Sequence, residues 1–295
     1  NKYNELVESL RLNNIGVSEI EKNESITHIK LTQFSHDYFT ANDIVNKSIK
    51  DTGLTEKIVK TYKIAGLDVI ESNIDDPSEV ILKKNTKVVN QNLAVNLRPF
   101  IAGREDFLKL ALLLEHNSEI LFSENLMFST NIKFPLVDNF DDLIYPPVNT
   151  YPAQVRSDVK KYLNRIGETI TLGRAQLEYF KTLDRNKHVL LTAGIYEEMF
   201  SGFGFEYLDF NPSKKISWGF EAHKVFKRDY ELNFDLLDYE NITYHLNIYY
   251  KNRTLFPFDL KASYGEYLAG DKGVTFEFSR SFKKGIEIGF FTSFT

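Results

Sequence analysis

The sequence predicts a mainly β protein: an antiparallel up-and-down sheet over residues 93–295, preceded by a small α+β module over residues 1–76. Three observations lead there. Aromatic residues are abundant, with 24 Phe and 16 Tyr against 2 Met and 1 Trp, and such side chains suit pleated surfaces. From Leu93 onward, apolar and polar residues alternate with a period of two in run after run. Short turn-forming stretches join the runs, the clearest being Ala269-Gly270-Asp271-Lys272-Gly273.

In the module, residues 3–13 read as a helix with Leu6, Val7 and Leu10 on one stripe, closed by Gly16. Strands are expected over 16–22 and 25–33. A second helix is expected over 40–51, capped by Thr40 or Asn42, with Ile44, Val45, Ser48 and Ile49 facing inward and Thr52-Gly53 ending it. Strands over 57–65 and 67–72 complete a compact unit. Asp75-Asp76-Pro77 marks its edge, and residues 77–92 read as a connector with a short helix.

Beyond it come a dozen strand-like runs: 93–101, 107–115, 119–133, 169–181, 187–197, 204–211, 215–225, 232–237, 243–251, 258–265, 274–280 and 286–295. A break at 136–157, with Pro146, Pro147 and Pro152, is expected to be a loop or plug. Tyr244, Leu246, Ile248 and Tyr250 oppose His245 and Asn247; Phe258, Leu260, Ala262 and Tyr264 oppose Asp259, Lys261 and Ser263. Two architectures share this pattern. A soluble sandwich, carbohydrate-binding or carbohydrate-active, turns the apolar face inward. A transmembrane barrel turns it to lipid. Sequential runs, Tyr and Phe at run ends, and mixed charges on the polar face weigh towards the barrel.

The totals exclude several function classes. A net charge of −5 argues against a nucleic-acid surface. Without cysteine there is no disulfide, thiolate nucleophile or Cys-ligated zinc. No apolar run approaches the 18 residues of a membrane helix. The first residues carry no signal pattern and the last run reaches residue 295, so a fragment of a longer polypeptide is expected. The six His show no metal-ligand spacing, Gly202-Phe203-Gly204 lacks the strand–helix setting of a dinucleotide site, and no phosphate loop or nucleophile elbow occurs. No cofactor or metal is expected.

Several pieces, in order, then carry a family likeness. They are Pro152-Ala153-Gln154-Val155-Arg156-Ser157-Asp158 with Tyr162; Glu198-Met199 with Gly202, Gly204 and Glu206; Arg228-Asp229; Asp238-Tyr239; and Tyr267-Leu268-Ala269-Gly270-Asp271-Lys272-Gly273, followed by Arg280, Phe282 and Gly285. This set resembles the YjbH/GfcD family of bacterial outer-membrane proteins associated with exopolysaccharide or group 4 capsule. One departure is Asp209-Phe210-Asn211-Pro212, where the family often has Tyr-Arg-Pro. The resemblance implies a lipidated, non-enzymatic outer-membrane β-barrel with its N-terminal module in the periplasm. It implies membrane lipid, exopolysaccharide and other secretion proteins as partners, the last through an exposed sheet edge of the module.

The candidate site residues are charged groups and turn glycines. Glu197 and Glu198 end a strand, so they point apart and cannot flank one substrate. Glu198 is expected to bond to a turn at Gly202–Gly204. Arg156 and Asp158 lie two apart and share a face if extended; a salt bridge from there is expected to tie the proline-rich loop to the sheet, with a ligand contact as the alternative. Arg228, Asp229, Asp271 and Arg280 are expected to form a buried ionic cluster, with Glu206, His223 and His245 on the polar face. Gly202, Gly204, Gly270 and Gly273 are expected in turns.

Overall fold

The computed structural model describes residues 2–13, 15–22, 26–33, 38–64, 67–70, 79–83, 89–101, 107–123, 125–141, 143, 155–184, 186–211, 214–254, 256–282 and 286–295. The chain divides into two compact units. The first comprises Asn1–Lys87 with Phe180–Val189 and Leu208–Ser217; the second comprises Val88–Tyr179, Leu190–Tyr207 and Trp218–Thr295.

The first unit is built on α1 (Lys2–Leu12), β1 (Gly16–Lys22), β2 (Ile26–Gln33), α2 (Tyr38–Asp51), β3 (Lys57–Ile64), β4 (Leu67–Ile70) and β5 (Glu79–Lys83). Its sheet runs β4-β3-β2-β1-β5. Only β2 and β3 pair in parallel, because α2 carries the chain back between them. Leu6 and Leu10 lie one helical turn apart on α1 and bury against Val45 of α2 and Ile20, Ile29, Leu31 and Tyr62 of the sheet. On the opposite face Lys30 Nζ bridges Glu19 and Glu21 at 2.6 and 2.8 Å. Gly53, at φ +64°, closes α2.

Three details of the first unit differ from the sequence reading. Gly16 opens β1 instead of capping α1. Because α2 starts at Tyr38, Thr40 and Asn42 lie inside it; Asn42 accepts hydrogen bonds from Lys60 and Tyr62 instead of capping. The expected connector contributes β5, paired antiparallel to β1, and the start of the next strand. The residues of β5, Glu-Val-Ile-Leu-Lys, suit a strand, and no helix occurs there among the described residues. Asp75-Asp76-Pro77 lies outside the described residues.

The eleven-stranded sheet consists of β6 (Val89–Phe100), β7 (Lys109–Ser123), β8 (Leu126–Asp138), β9 (Thr171–Asp184), β10 (Lys187–Ile195), β11 (Phe200–Asp209), β12 (Ile216–Arg228), β13 (Leu236–Asn252), β14 (Phe258–Glu266), β15 (Lys272–Ser281) and β16 (Glu287–Phe294). Neighbours in sequence are neighbours in space throughout, with β6 and β16 at the edges. One helix, α3 (Val159–Glu168), interrupts the order between β8 and β9.

Burial follows the alternation, with the usual sense inverted. On β13 Asn247 is 3% exposed while its neighbours Leu246 and Ile248 are 46% and 50% exposed. Ser263 and Thr275 are buried, whereas Leu260, Tyr264 and Phe276 are exposed. The buried face is a polar ladder. Ser263 Oγ donates to Asn247 (2.6 Å), Lys261 meets Glu277 (3.1 Å), and His245 and His223 face Glu221 and Glu206 at 3.4 and 3.6 Å. The exposed face carries aromatic rows such as Phe258–Phe278–Phe290, stacked at 5.6 and 5.9 Å.

Two strand divisions needed correction. The expected turn at 116–118 is the middle of β7, where Asn117 opposes Asn131 across β8. Its polar residues are ladder members, not a turn. Residues 236–252 form one strand where two were expected, since the hydrophilic stretch from Asp238 to Asn241 lies within a sheet whose polar side chains already have partners. Gly202, Gly204 and Gly273 sit within strands, not turns; Gly270, at φ +82°, occupies the β14–β15 turn. Strand glycines serve close approach. A Cβ on Gly204 would strike the His223 ring, and one on Gly202 the Lys224 carbonyl.

Gly265→Ala would drive a Cβ into the Tyr244 carbonyl across β13. We expect a loss of about 1–3 kcal/mol, read as a lowered urea midpoint by circular dichroism. An unchanged midpoint would contradict this packing.

Candidate functional site

The candidate site lies at the sheet end where β8, β10 and β12 finish and α3 docks. Tyr162, Leu163 and Ile166 fall three and four residues apart on α3 and are fully or nearly buried against Phe140, Met199, Phe200, Val225 and Leu232. Gly167 lets the helix approach β8, since a Cβ there would run into the Asp138 carboxylate. Asp158 occupies the N-cap position, yet its carboxylate does not cap the helix. It is used elsewhere.

Arg228 is the largest fully buried side chain described, 1% exposed. Its guanidinium donates to five backbone carbonyls: Leu172, Glu197 and Glu198 from Nη1 (3.0–3.2 Å), and Leu232 and Asn233 from Nη2 (2.8 and 3.2 Å). These acceptors come from the start of β9, the β10–β11 turn and the β12–β13 turn. The Arg228 carbonyl accepts the Tyr162 hydroxyl at 2.5 Å. One planar fork thus joins two turns to the start of β9, a task that suits arginine geometry, while the main-chain carbonyl of the same residue holds α3.

Two ion pairs flank it. Lys227 Nζ reaches both Asp158 oxygens at 2.8 and 2.7 Å, each side chain 3% exposed, and the Tyr230 hydroxyl donates to Asp158 Oδ2 at 2.7 Å. Burial, with Asp158 alongside, pushes the Tyr162 and Tyr230 hydroxyls well above the usual tyrosine range, so both remain donors. Glu198 accepts from Arg98 Nη1 at 2.8 Å and from Lys133. Burial opposes its ionisation, but the two cations outweigh it and hold the carboxyl at about 2. Glu197 pairs with Arg156 at 2.6 Å nearer the surface.

Beside the cluster, on the polar face, lies a hollow of about 310 Å3 lined by Glu115, Asn117, Asn131, Lys133, Arg174 and Tyr196 among others. Asn131 Nδ2 donates to Asn117 Oδ1 (2.7 Å) and Glu115 Oε2 (3.2 Å). Among the described residues, no group of three or more His, Asp or Glu side chains is placed to hold a metal.

The expected contacts are redistributed. Arg156 and Asp158 lie in the tight turn entering α3, not in an extended run, and salt bridges tie that turn to the sheet: Arg156 to Glu197 of the β10–β11 turn and Asp158 to Lys227 of β12. Glu198 bonds to Arg98 and Lys133, not to Gly202–Gly204, which is strand. The four-residue cluster does not assemble. Asp229 accepts from the Glu231 amide, and Asp271 shapes the β14–β15 turn through its backbone. Arg280 lies at the opposite end of β15, over Phe256 at 3.8 Å. Glu206 faces His223 on the polar ladder. Helix α3 was not expected, although Val159, Tyr162, Leu163 and Ile166 carry its period. Lys133, Arg98, Lys227 and Tyr230 were not singled out as partners. Lys133 and Arg98, carrying charge inside alternating runs, were the available signal.

Two outcomes follow for this cluster. Asp158→Ala removes the carboxylate that answers the buried Lys227 ammonium, so we expect about 3–5 kcal/mol of destabilisation, while replacing the pair by apolar residues (Asp158→Leu with Lys227→Met) costs far less. Urea titration of both variants checks this. Because the Glu198 carboxyl is depressed in the folded state from 4.5 to about 2, its contribution is present above pH 4.5 and fades as pH falls towards 2. The stability gap between wild type and Glu198→Gln, on the order of 3 kcal/mol at pH 7, should therefore close across that window.

A family model described as exopolysaccharide biosynthesis protein YbjH matches residues 13–295. Over 204 residues, 68% of this chain, the sequence is 28% identical to the uncharacterized lipoprotein YjbH of Escherichia coli (strain K12), and the chain spans 29% of that protein's length. No solved structure matches. The match covers nearly the whole chain, which belongs to the YjbH family of exopolysaccharide biosynthesis proteins.

Proposed function

We propose that the eleven-stranded sheet is the wall of an outer-membrane β-barrel, and that the protein serves exopolysaccharide or capsule export or assembly as a conduit or scaffold. The observation that carries this reading is the inverted burial: Leu246, Ile248, Leu260 and Phe276 face outward while Asn247, Ser263 and Thr275 are buried. In water such a surface is a liability; against acyl chains it is stable. Many strands exceed the 9–11 residues needed to cross a bilayer. The aromatic row Phe258–Phe278–Phe290 near one strand end suits an interfacial girdle. The E. coli relative's name as a lipoprotein supports lipid anchoring, and a module facing the periplasm would place its sheet edges before other secretion proteins.

The role is non-enzymatic on this reading. Glu197, Glu198 and Asp158 each hold a cation, which does not suit them to act as a free acid–base pair. A soluble sandwich finds no support, since its apolar face would be covered. Fractionation should place the protein in the outer membrane, with a band whose gel migration shifts on heating in detergent. Ile248→Arg, on the lipid face, should cost about 2–4 kcal/mol near the bilayer midplane and deplete the membrane fraction. A soluble protein, with no heat shift and an indifferent Ile248→Arg variant, would overturn the barrel.

A further inference from the structure

We propose that the hollow beside the Arg228 cluster binds a single uncharged hexose residue of a polysaccharide chain. This rests on the polysaccharide reading above and assigns the ligand class at one place on the polar face. At about 310 Å3 the hollow is at the small end of ligand pockets, enough for one sugar ring and not a folded oligomer.

Its chemistry is that of a polyol site. Glu115, Asn117 and Asn131 supply carboxylate and amide oxygens as acceptors; Asn131, Lys133 and Arg174 supply donors. Four carboxylates line it, Glu115, Glu119, Glu197 and Glu198, with two cations, Lys133 and Arg174. Arg98 and Arg156 bond to Glu198 and Glu197 from beside the hollow. The charges balance, so the site carries no surplus cation for a uronate and suits a neutral ring. The half-buried Tyr196 ring, edge-on to His223 at 5.8 Å, offers an apolar wall. Gly173 keeps the space open: a Cβ there would strike Asn131 Oδ1 and come within 3.1 Å of Lys133 Cε.

The test is titration calorimetry on the protein purified in detergent, with oligosaccharides of glucose, galactose and mannose, and with oligogalacturonate. We expect at least one neutral oligosaccharide to bind and oligogalacturonate to bind about tenfold more weakly or not at all. Gly173→Val and Asn131→Leu should each weaken binding about tenfold with the heat-shifted gel band retained. Arg280→Ala, at the far sheet end, should leave binding unchanged. Equal or tighter binding of oligogalacturonate overturns the ligand class. Full affinity in a folded Gly173→Val protein overturns the location. No sugar binding by a protein that still fractionates with the outer membrane overturns the hollow and spares the barrel; sugar binding by a soluble protein does the reverse.

Discussion

Arg228 is the interaction on which this sheet end depends. A guanidinium removed from water needs its charge and its donors answered locally. Here five carbonyls answer it, drawn from two turns and the start of β9, which are distant in sequence. The constraint runs both ways. The carbonyls of the β10–β11 and β12–β13 turns would themselves be buried without this donor. Arg228 thus adds to the backbone hydrogen bonds that close each turn, and the β10–β11 turn carries Glu198, which meets Arg98 and Lys133. Asp158 and Lys227 repeat the device one residue away, tying the entry of α3 to the end of β12.

The sheet itself solves a different problem. Its polar face is crowded with groups that would be costly to bury alone, and several rungs find neighbours across the strands: Ser263 with Asn247, Thr275 with Ser293, Glu178 with Ser129. Its apolar face is exposed among the described residues, as at Leu246, Ile248 and Phe276. Soluble sheets reverse this assignment, so the inverted burial, and not the alternation, separates a lipid-facing wall from a sandwich. Alternation reports only that the two faces differ.

That distinction explains what the sequence could show. The period of two located most of β9 to β16, and the Gly270 turn was legible because a positive φ there demands glycine. The α1 stripe and the Gly53 stop were legible for the same local reasons. Errors arose where a local signal had a non-local cause. His116, Asn117 and Ser118 read as a turn, yet they are polar because they face a polar ladder. Arg156 and Asp158 were legible as fastenings of the loop, yet their partners Glu197 and Lys227, far along the chain, were not. The charges of the motifs were rightly noticed, but partners separated by 65 to 100 residues, as for Glu198, cannot be read from spacing.

Strand number adds a last constraint. Eleven antiparallel strands in sequence leave β6 and β16 running in the same direction. A bilayer tolerates no open edge, since unpaired amides and carbonyls have no water there. On the barrel reading both edges therefore pair in the membrane. They can meet each other only in a parallel seam; every antiparallel closure requires an odd number of further strands. The end cluster bears on this choice through mechanics. Arg228, Asp158 and Glu198 stiffen one sheet end across β6, β8, β9, β11 and β12, whereas no comparable ion network joins β15 to β16 among the described residues. On the barrel reading, the ion network braces the β6 side of the sheet and leaves the β16 edge to be held by whatever strand closes it.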